Sequence, residues 1–236
     1  ILLNRSYNKN NKSIHNPYLF VVYDRFLAEY INHCMNNVNI KEFVNSIFAS
    51  KTYILYQNNH DKVWIVDIGD TEPVIDFLIE KDLSVSGVFF THSHFDHIYG
   101  INDFLKKFPD CIIYTSEYGK IALKDAKKNL SFYHEQPIEY SEDNVQVLKE
   151  GDKIELFPNI YLEVLETPGH CPSCLTYYTD DYIFTGDSYI PGVKVVTKLP
   201  KGNKIQAQES VEKIKTIIGT RIICPGHGEN YNHSNK

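Results

Sequence analysis

Thr91-His92-Ser93-His94-Phe95-Asp96-His97 is the stretch on which the reading of this chain turns. It places three histidines and one carboxylate within six residues. Val88-Phe89-Phe90 precedes it and reads as a buried strand. Ile98, Ile101, Phe104, Leu105 and Phe108 follow at helical spacing, which predicts a helix over 98–108. The cluster therefore falls on a strand-to-helix turn, at the carboxyl end of a strand, where open α/β sheets place their ligands. Imidazole and carboxylate are ligand types that suit zinc, iron or manganese. One histidine on a loop reads as a solvated turn residue, whereas this density in this setting reads as a metal site.

Upstream, 43–48, 52–57 and 63–68 read as strands, with Asn58-Asn59-His60-Asp61 as a turn. Val63-Trp64-Ile65-Val66 is continuously apolar, which predicts burial on both faces. Thr71 is placed to cap the next helix, with Pro73 in its first turn. Asp67 ends a strand, either as a turn residue or as the acceptor of a hydrogen bond from a metal-bound imidazole. Downstream, strands are expected over 111–114, 145–148, 153–156, 160–165 and 221–224. A hairpin joins 175–178 to 182–184, and Ser116 caps a helix toward Leu123. Residues 124–144 are polar and give no periodicity. The spacing predicts a helix over 204–218, with Ile205, Val211, Ile214 and Ile218 inward, stopped by Gly219. This order suggests two βα halves packed sheet to sheet.

Further candidates lie at strand ends or Gly-rich turns: His170 in Thr167-Pro168-Gly169-His170, Asp187 in Phe184-Thr185-Gly186-Asp187, and His227 in Pro225-Gly226-His227-Gly228. Glycine beside a ligand lets the backbone bend close to a metal. With 91–97, these motifs form an ordered set that resembles the metallo-β-lactamase-fold hydrolases across residues 41–230. The resemblance implies an α/β (α+β) fold, a four-layer αββα sandwich with the metal site at one edge of both sheets. It implies that His92, His94 and His170 bind one metal, that Asp96, His97 and His227 bind a second, and that Asp187 bridges them. Asp96 and Asp187 are then the catalytic carboxylates. Two divalent metals sharing a water lower its pKa, and the hydroxide attacks a carbonyl or phosphoryl centre. Zinc is the default, with iron or manganese suited to the same ligands.

Within that superfamily the T-H-x-H-x-D-H and T-P-G-H forms resemble the glyoxalase II (hydroxyacylglutathione hydrolase) branch. The implied activity is metal-dependent hydrolysis of a small, anionic thioester or ester. Two departures are Ile98-Tyr99-Gly100 and Ser188-Tyr189-Ile190-Pro191-Gly192-Val193-Lys194, where that branch carries glycine-rich continuations. Lys194, Lys198, Lys201 and Lys204 read either as a solvated loop or as a cationic rim that steers an anion to the metals. Tyr189 reads either as a hydrogen-bond donor to substrate or as a packed aromatic. A persulfide dioxygenase with one iron, and a phosphodiesterase or ribonuclease of the same fold, are the alternatives.

The 236 residues are 42% hydrophobic, enough for one sizeable core, and the net charge is −6. An acidic balance argues against a nucleic-acid partner and leaves a small molecule as the expected one. No apolar run is long enough to span a membrane. Five cysteines without framework spacing point to a reducing, cytoplasmic compartment. Cys171-Pro172-Ser173-Cys174 is either a redox pair or two small packed residues. Residues 1–34 differ in composition from the rest and precede the one methionine, Met35. They are expected to be an extension, or else a docked helix around Phe26–Ile31, ahead of a metallo-β-lactamase-fold domain over 35–236.

Overall fold

The computed structural model describes residues 37–232, so the expectations for 1–34 lie outside the described residues. Two sheets form the centre. The first runs in the order β1 (Asn39–Val44), β2 (Lys51–Tyr56), β3 (Lys62–Val66), β4 (Ser84–Phe89), β5 (Ile112–Thr115) and β6 (Val145–Val147). Its first three strands are antiparallel, and from β3 onward the pairing is parallel. The second sheet contains β7 (Lys153–Phe157), β8 (Ile160–Glu166), β9 (Leu175–Tyr178), β10 (Tyr182–Gly186) and β11 (Ile222–Pro225), in the order β11-β10-β9-β8-β7. Helices α1 (Thr71–Glu80), α2 (Phe95–Ile98), α3 (Ile101–Lys107) and α4 (Glu117–Leu123) belong with the first sheet, and α5 (Lys204–Ile218) with the second.

The alternation of side chains along each strand divides the core into three layers. Val63 and Ile65 face the helices, in a cluster with Val74, Leu78, Ile101 and Phe104. Trp64 and Val66 face the other way and meet Leu162, Val164, Tyr177 and Phe184 of the second sheet. Leu165, Ile183 and Ile223 pack beneath Ile214 and Ile218 of α5. The result is the expected αββα sandwich, and the double burial of 63–66 follows from it. Polar contacts cross the inter-sheet layer: Trp64 Nε1 donates to the Leu156 carbonyl at 2.8 Å, and Tyr177 Oη donates to the Phe90 carbonyl at 2.8 Å.

Local chemistry moved several expected boundaries. The first strand ends at Val44, and 46–49 form a turn. Asn45 explains this, because its side chain binds the neighbouring chain in place of a ladder. Its Nδ2 donates to Ser50 Oγ (3.1 Å), and its Oδ1 accepts from the Asp70 amide (3.0 Å). Asp70, not Thr71, is the residue at the N-terminus of α1, and it makes no cap bond. Its carboxylate instead accepts from the Ser46 amide and hydroxyl and from Tyr99 Oη. The helix expected over 98–108 is split at Tyr99–Gly100. There the chain passes so close to the loop after β3 that a Cβ on Gly100 would lie 2.1 Å from the Gly69 carbonyl oxygen.

Ser116 caps α4 as expected, accepting from the Gly119 amide at 3.1 Å. The unplaced 124–144 segment is held by buried Asn129, whose Nδ2 donates to the Ala122 and Ile138 carbonyls at 3.0 and 2.8 Å. On α5 the buried stripe is Ala207, Ser210, Ile214 and Ile218. Ile205, expected inward, is 71% exposed, because at 3.6 residues per turn it falls on the face opposite Ile214.

The Trp64 bond generates a prediction. Trp64→Phe keeps the ring packing on Phe89 and leaves the Leu156 carbonyl unpaired, which should cost about 1–3 kcal/mol. Urea unfolding followed by circular dichroism should show a lower midpoint with an unchanged slope. An unchanged midpoint would mean that the bond contributes no net stability.

Candidate metal centre

The centre lies where the carboxyl ends of β3, β4 and β10 meet the loops before α2, α5 and after β11. Asp67 is the organising residue on the first sheet. It is buried, sits just past β3, and has a positive φ of 56°. One carboxylate oxygen accepts from the Thr91 amide at 2.7 Å. The other accepts from Thr91 Oγ1 at 2.7 Å and from His97 Nδ1–H at 2.8 Å. Of the two readings of Asp67, the geometry matches the one in which it orients an imidazole. Thr91 Oγ1 in turn lies 3.2 Å from His92 Nδ1.

The second sheet supplies the other half. Gly186 ends β10 with φ +48°, and a Cβ there would lie 2.5 Å from Thr91 Oγ1. This close approach brings Asp187 beside the histidines of the first sheet. Gly226 is equally constrained, since a Cβ there would lie 2.5 Å from Asp187 Oδ1 and 2.8 Å from His97 Cε1. The loop carrying His170 is pinned to α5. Gly169 packs on Ala207, its carbonyl accepts from the Asn203 amide (2.8 Å), and the Pro168 carbonyl accepts from Ser210 Oγ (2.6 Å).

All seven residues singled out by sequence converge. His92, His94 and His170 form one group of donor atoms, Asp96, His97 and His227 another, and Asp187 joins His92 and His97 in a third; within each group the atoms lie within 4.8 Å. Asp187 lies between the sides of the centre. Its Oδ2 is 3.4 Å from His170 Nε2, and its Oδ1 is 3.4 Å from His227 Nε2 and 3.6 Å from His97 Nε2. Asp96 Oδ2 is 3.3 Å from His227 Nε2.

These atoms suit cations. The Nδ1 of His170 binds the Val196 carbonyl at 2.8 Å, and that of His227 binds the Phe48 carbonyl at 3.0 Å. A carbonyl only accepts, so Nδ1 carries the hydrogen and each Nε2 presents a lone pair. His97 is in the same tautomer through Asp67. His97 Nε2 and His227 Nε2 then face each other at 3.2 Å, and His170 Nε2 faces His94 Nδ1 at 2.8 Å. A proton shared between the facing nitrogens satisfies each pair, and a cation that displaces it would meet both lone pairs. His92 Nε2 and Asp187 Oδ1 are buried and have no hydrogen-bond partner.

The electrostatics agree. Burial, together with neighbouring histidines, holds His92 well below its ordinary pKa. Burial and His170 push His94 down to about 3, so both are neutral donors. Burial disfavours charge on His97, but Asp96, Asp67 and Asp187 outweigh it and push its pKa up to about 10. Burial raises Asp96, but His97 and His227 outweigh it and hold the carboxyl down at about 2. The carboxylates thus create a demand for positive charge at this point.

The donors open onto a cavity of about 370 Å³. Phe48, Phe95, Leu130, Tyr133, Val196 and Leu199 form much of its wall, and His134 stacks on Phe95 with ring centroids 3.5 Å apart. Sequence reading missed this wall, because no periodicity marks 124–144 and Phe48 was read as strand. No lysine or arginine lines the cavity among the described residues. Tyr189 and Lys194 line a different cavity, and Lys198 lines neither. Cys171 and Cys174 are buried next to His170, with their sulfurs 3.3 Å apart and no disulfide.

Two sheets between helices, with histidines and carboxylates gathered at one shared edge, define an αββα protein with a candidate binuclear metal centre. The family model of the metallo-beta-lactamase superfamily matches residues 48–227, and the chain belongs to that superfamily. A hydroxyacylglutathione hydrolase of Citrobacter koseri is 27% identical over 186 residues, which cover 78% of this chain and 65% of that relative. The chain thus matches somewhat less than two thirds of the relative's length. Among solved structures, BLEG-1, a B3 metallo-beta-lactamase, superposes with a TM-score of 0.74 at 24% identity, covering 82% of this chain and 94% of that one. TTHA1623 in a di-iron-bound form gives 0.69 at 20% identity, covering 81% and 94%. These likenesses show the fold.

Asp67→Asn tests the organising role. The amide cannot accept at both oxygens, so His97 loses its orientation. Metal affinity, measured by competition with a chelator, should fall about 10–100-fold. Wild-type affinity in the variant would show that Asp67 does not position the centre.

Proposed function

We propose that the protein is a hydrolase of small thioesters or esters, working with two divalent cations in one centre. His92, His94 and His170 would hold one cation and Asp96, His97 and His227 the other, with Asp187 shared between them. The observation that carries this reading is the convergence of seven His and Asp donors in three overlapping groups, with Asp187 oxygens near both His170 and His227. Divalent cations in such a centre make water acidic enough to supply a nucleophile at neutral pH and polarise the carbonyl under attack.

The chain's own residues do the rest. The Phe48 and Val196 carbonyls and the Asp67 carboxylate hold three imidazoles in the tautomer that points Nε2 inward. Asp96, ionised at neutral pH, and Asp187 put negative charge on the cavity floor, where cations gather and a water's hydrogen finds an acceptor. The apolar wall excludes water around the scissile bond and favours an apolar group next to the carbonyl. With no lysine or arginine on the wall, an anionic part of the substrate would have to lie outside it. Zinc fits the mixed His/Asp donors, and iron suits them as well. The free state of the described cysteines, Cys111, Cys171, Cys174 and Cys224, supports a reducing compartment.

The test begins with metal content per chain in protein purified without added metal or chelator. Two zinc or iron ions are expected, along with hydrolysis of a hydroxyacylglutathione or an aryl thioester that a chelator abolishes and metal restores. About one iron, with oxygen uptake on a persulfide, would replace this reading with a dioxygenase. Cleavage of phosphodiesters alone would replace it with a phosphodiesterase. Failure to bind metal after reconstitution would overturn it.

Two substitutions give further expectations. Asp187→Ala should lower metal content and cut kcat/KM by at least about 100-fold, because one carboxylate faces both groups. Full metal content with full activity would refute the shared role. Phe48→Ala keeps the carbonyl that binds His227 and removes the ring from the wall. It should raise KM about tenfold with little change in kcat. An unchanged KM would place the substrate elsewhere.

A further inference from the structure

The lysines that the sequence places after Asp187 do not serve the metal cavity. Lys194 and Lys204 line a second cavity of about 380 Å³, together with Lys215. This cavity lies between α5 and the segment 189–197, and its volume is within the range of small-molecule sites. The segment is a wall shared by both cavities. Val196 lines the metal cavity, while its neighbours Val195 and Thr197 line the second one. From Val195 to Thr197 the lining residues alternate between the two cavities.

The lining has two kinds of surface. Val193, Val195, Ala207 and Val211 supply an apolar floor. The lysines and Tyr189 supply donors, and no carboxylate lines the cavity. Lys215 is paired with Glu212 at 2.8 Å, but the side chains of Lys194 and Lys204 make no ion pair or hydrogen bond among the described residues. Two lysines without a carboxylate partner among the described residues, lining a cavity with four apolar residues in a chain of net charge −6, are a local reversal of charge.

We infer that this second cavity is a binding site for a small aliphatic carboxylate, separate from the metal centre. The carboxylate pairs with Lys194 and Lys204, and the aliphatic chain lies on Val195 and Val211. The charge-assisted pairs fix the head, and burial of the chain supplies the rest of the affinity.

Titration calorimetry with octanoate tests the assignment, using the metal-loaded full chain. The expected result is saturable binding of one octanoate per chain. Acetate, which lacks the chain, and octan-1-ol, which lacks the charge, should each bind at least about tenfold more weakly. The double variant Lys194→Gln/Lys204→Gln and the cavity-filling variant Val211→Phe should each weaken octanoate about tenfold or more. Neither variant alters a residue of the metal centre, so its metal content should stay at the wild-type value and report that it is folded. Octanoate binding unchanged in both variants would place the carboxylate on the metals and overturn the inference. Absence of saturation, or equal binding of acetate or octan-1-ol, would overturn it as well.

Discussion

A buried carboxylate that accepts three hydrogen bonds holds the candidate metal centre together. Asp67 lies past the end of β3, and its acceptors are filled by Thr91 at the end of β4 and by His97 at the start of α2. An ionised carboxylate away from water is costly unless it is fully paired. Here burial pushes the Asp67 pKa up, and His97 and Thr91 oppose that shift while tying two loops to one point, which fixes where His92 and His97 stand. The second sheet is brought to the same point by close backbone approach, through Gly186 against Thr91 and Gly226 against Asp187. A centre assembled from five loops therefore depends on a small number of fixed contacts.

Charge in the centre follows from the same arrangement. The carboxylates Asp67, Asp96 and Asp187 surround His97, which answers them by holding a proton up to about 10. His92 and His94, crowded by other imidazoles and buried, stay neutral. A cation that displaces the His97 proton would meet nitrogens of His97, His170 and His227 already aimed by a carboxylate or carbonyl on the far side of each ring. Orientation by the outer partner reduces the rearrangement that metal binding requires.

The segment after Asp187 shows how one stretch of backbone can serve two surfaces. Val196 gives its carbonyl to His170 and its side chain to the metal cavity, while its neighbours line a cavity on the other side. The α5 helix continues this pattern: Ala207 and Ser210 support the His170 loop, and Val211 and Lys215 face outward. Helical periodicity explains Ile205, which lies on the face opposite the buried stripe of Ala207, Ser210, Ile214 and Ile218.

Local chemistry was legible in the sequence alone. Thr91–His97, Gly169-His170, Gly186-Asp187 and Gly226-His227 each carry their own turn signal, so strand ends, donors and the superfamily could be read without coordinates. Apolar runs gave strands and their burial, as the unbroken run at 63–66 did, because the order of residue types is a property of the chain itself. Tertiary structure alone decided what depends on meeting distant residues. It chose the imidazole-orienting role of Asp67, ended β1 at Val44 through bonds from Asn45 to Ser50 and Asp70, and formed the cavity wall from Phe48, Leu130 and Val196. It also put Lys194 and Lys204 on the far side of that wall. Residue types and spacing report which side chains a short segment offers. The partner each one meets is set by long-range packing of sheets and loops, and on that the local pattern carries no information.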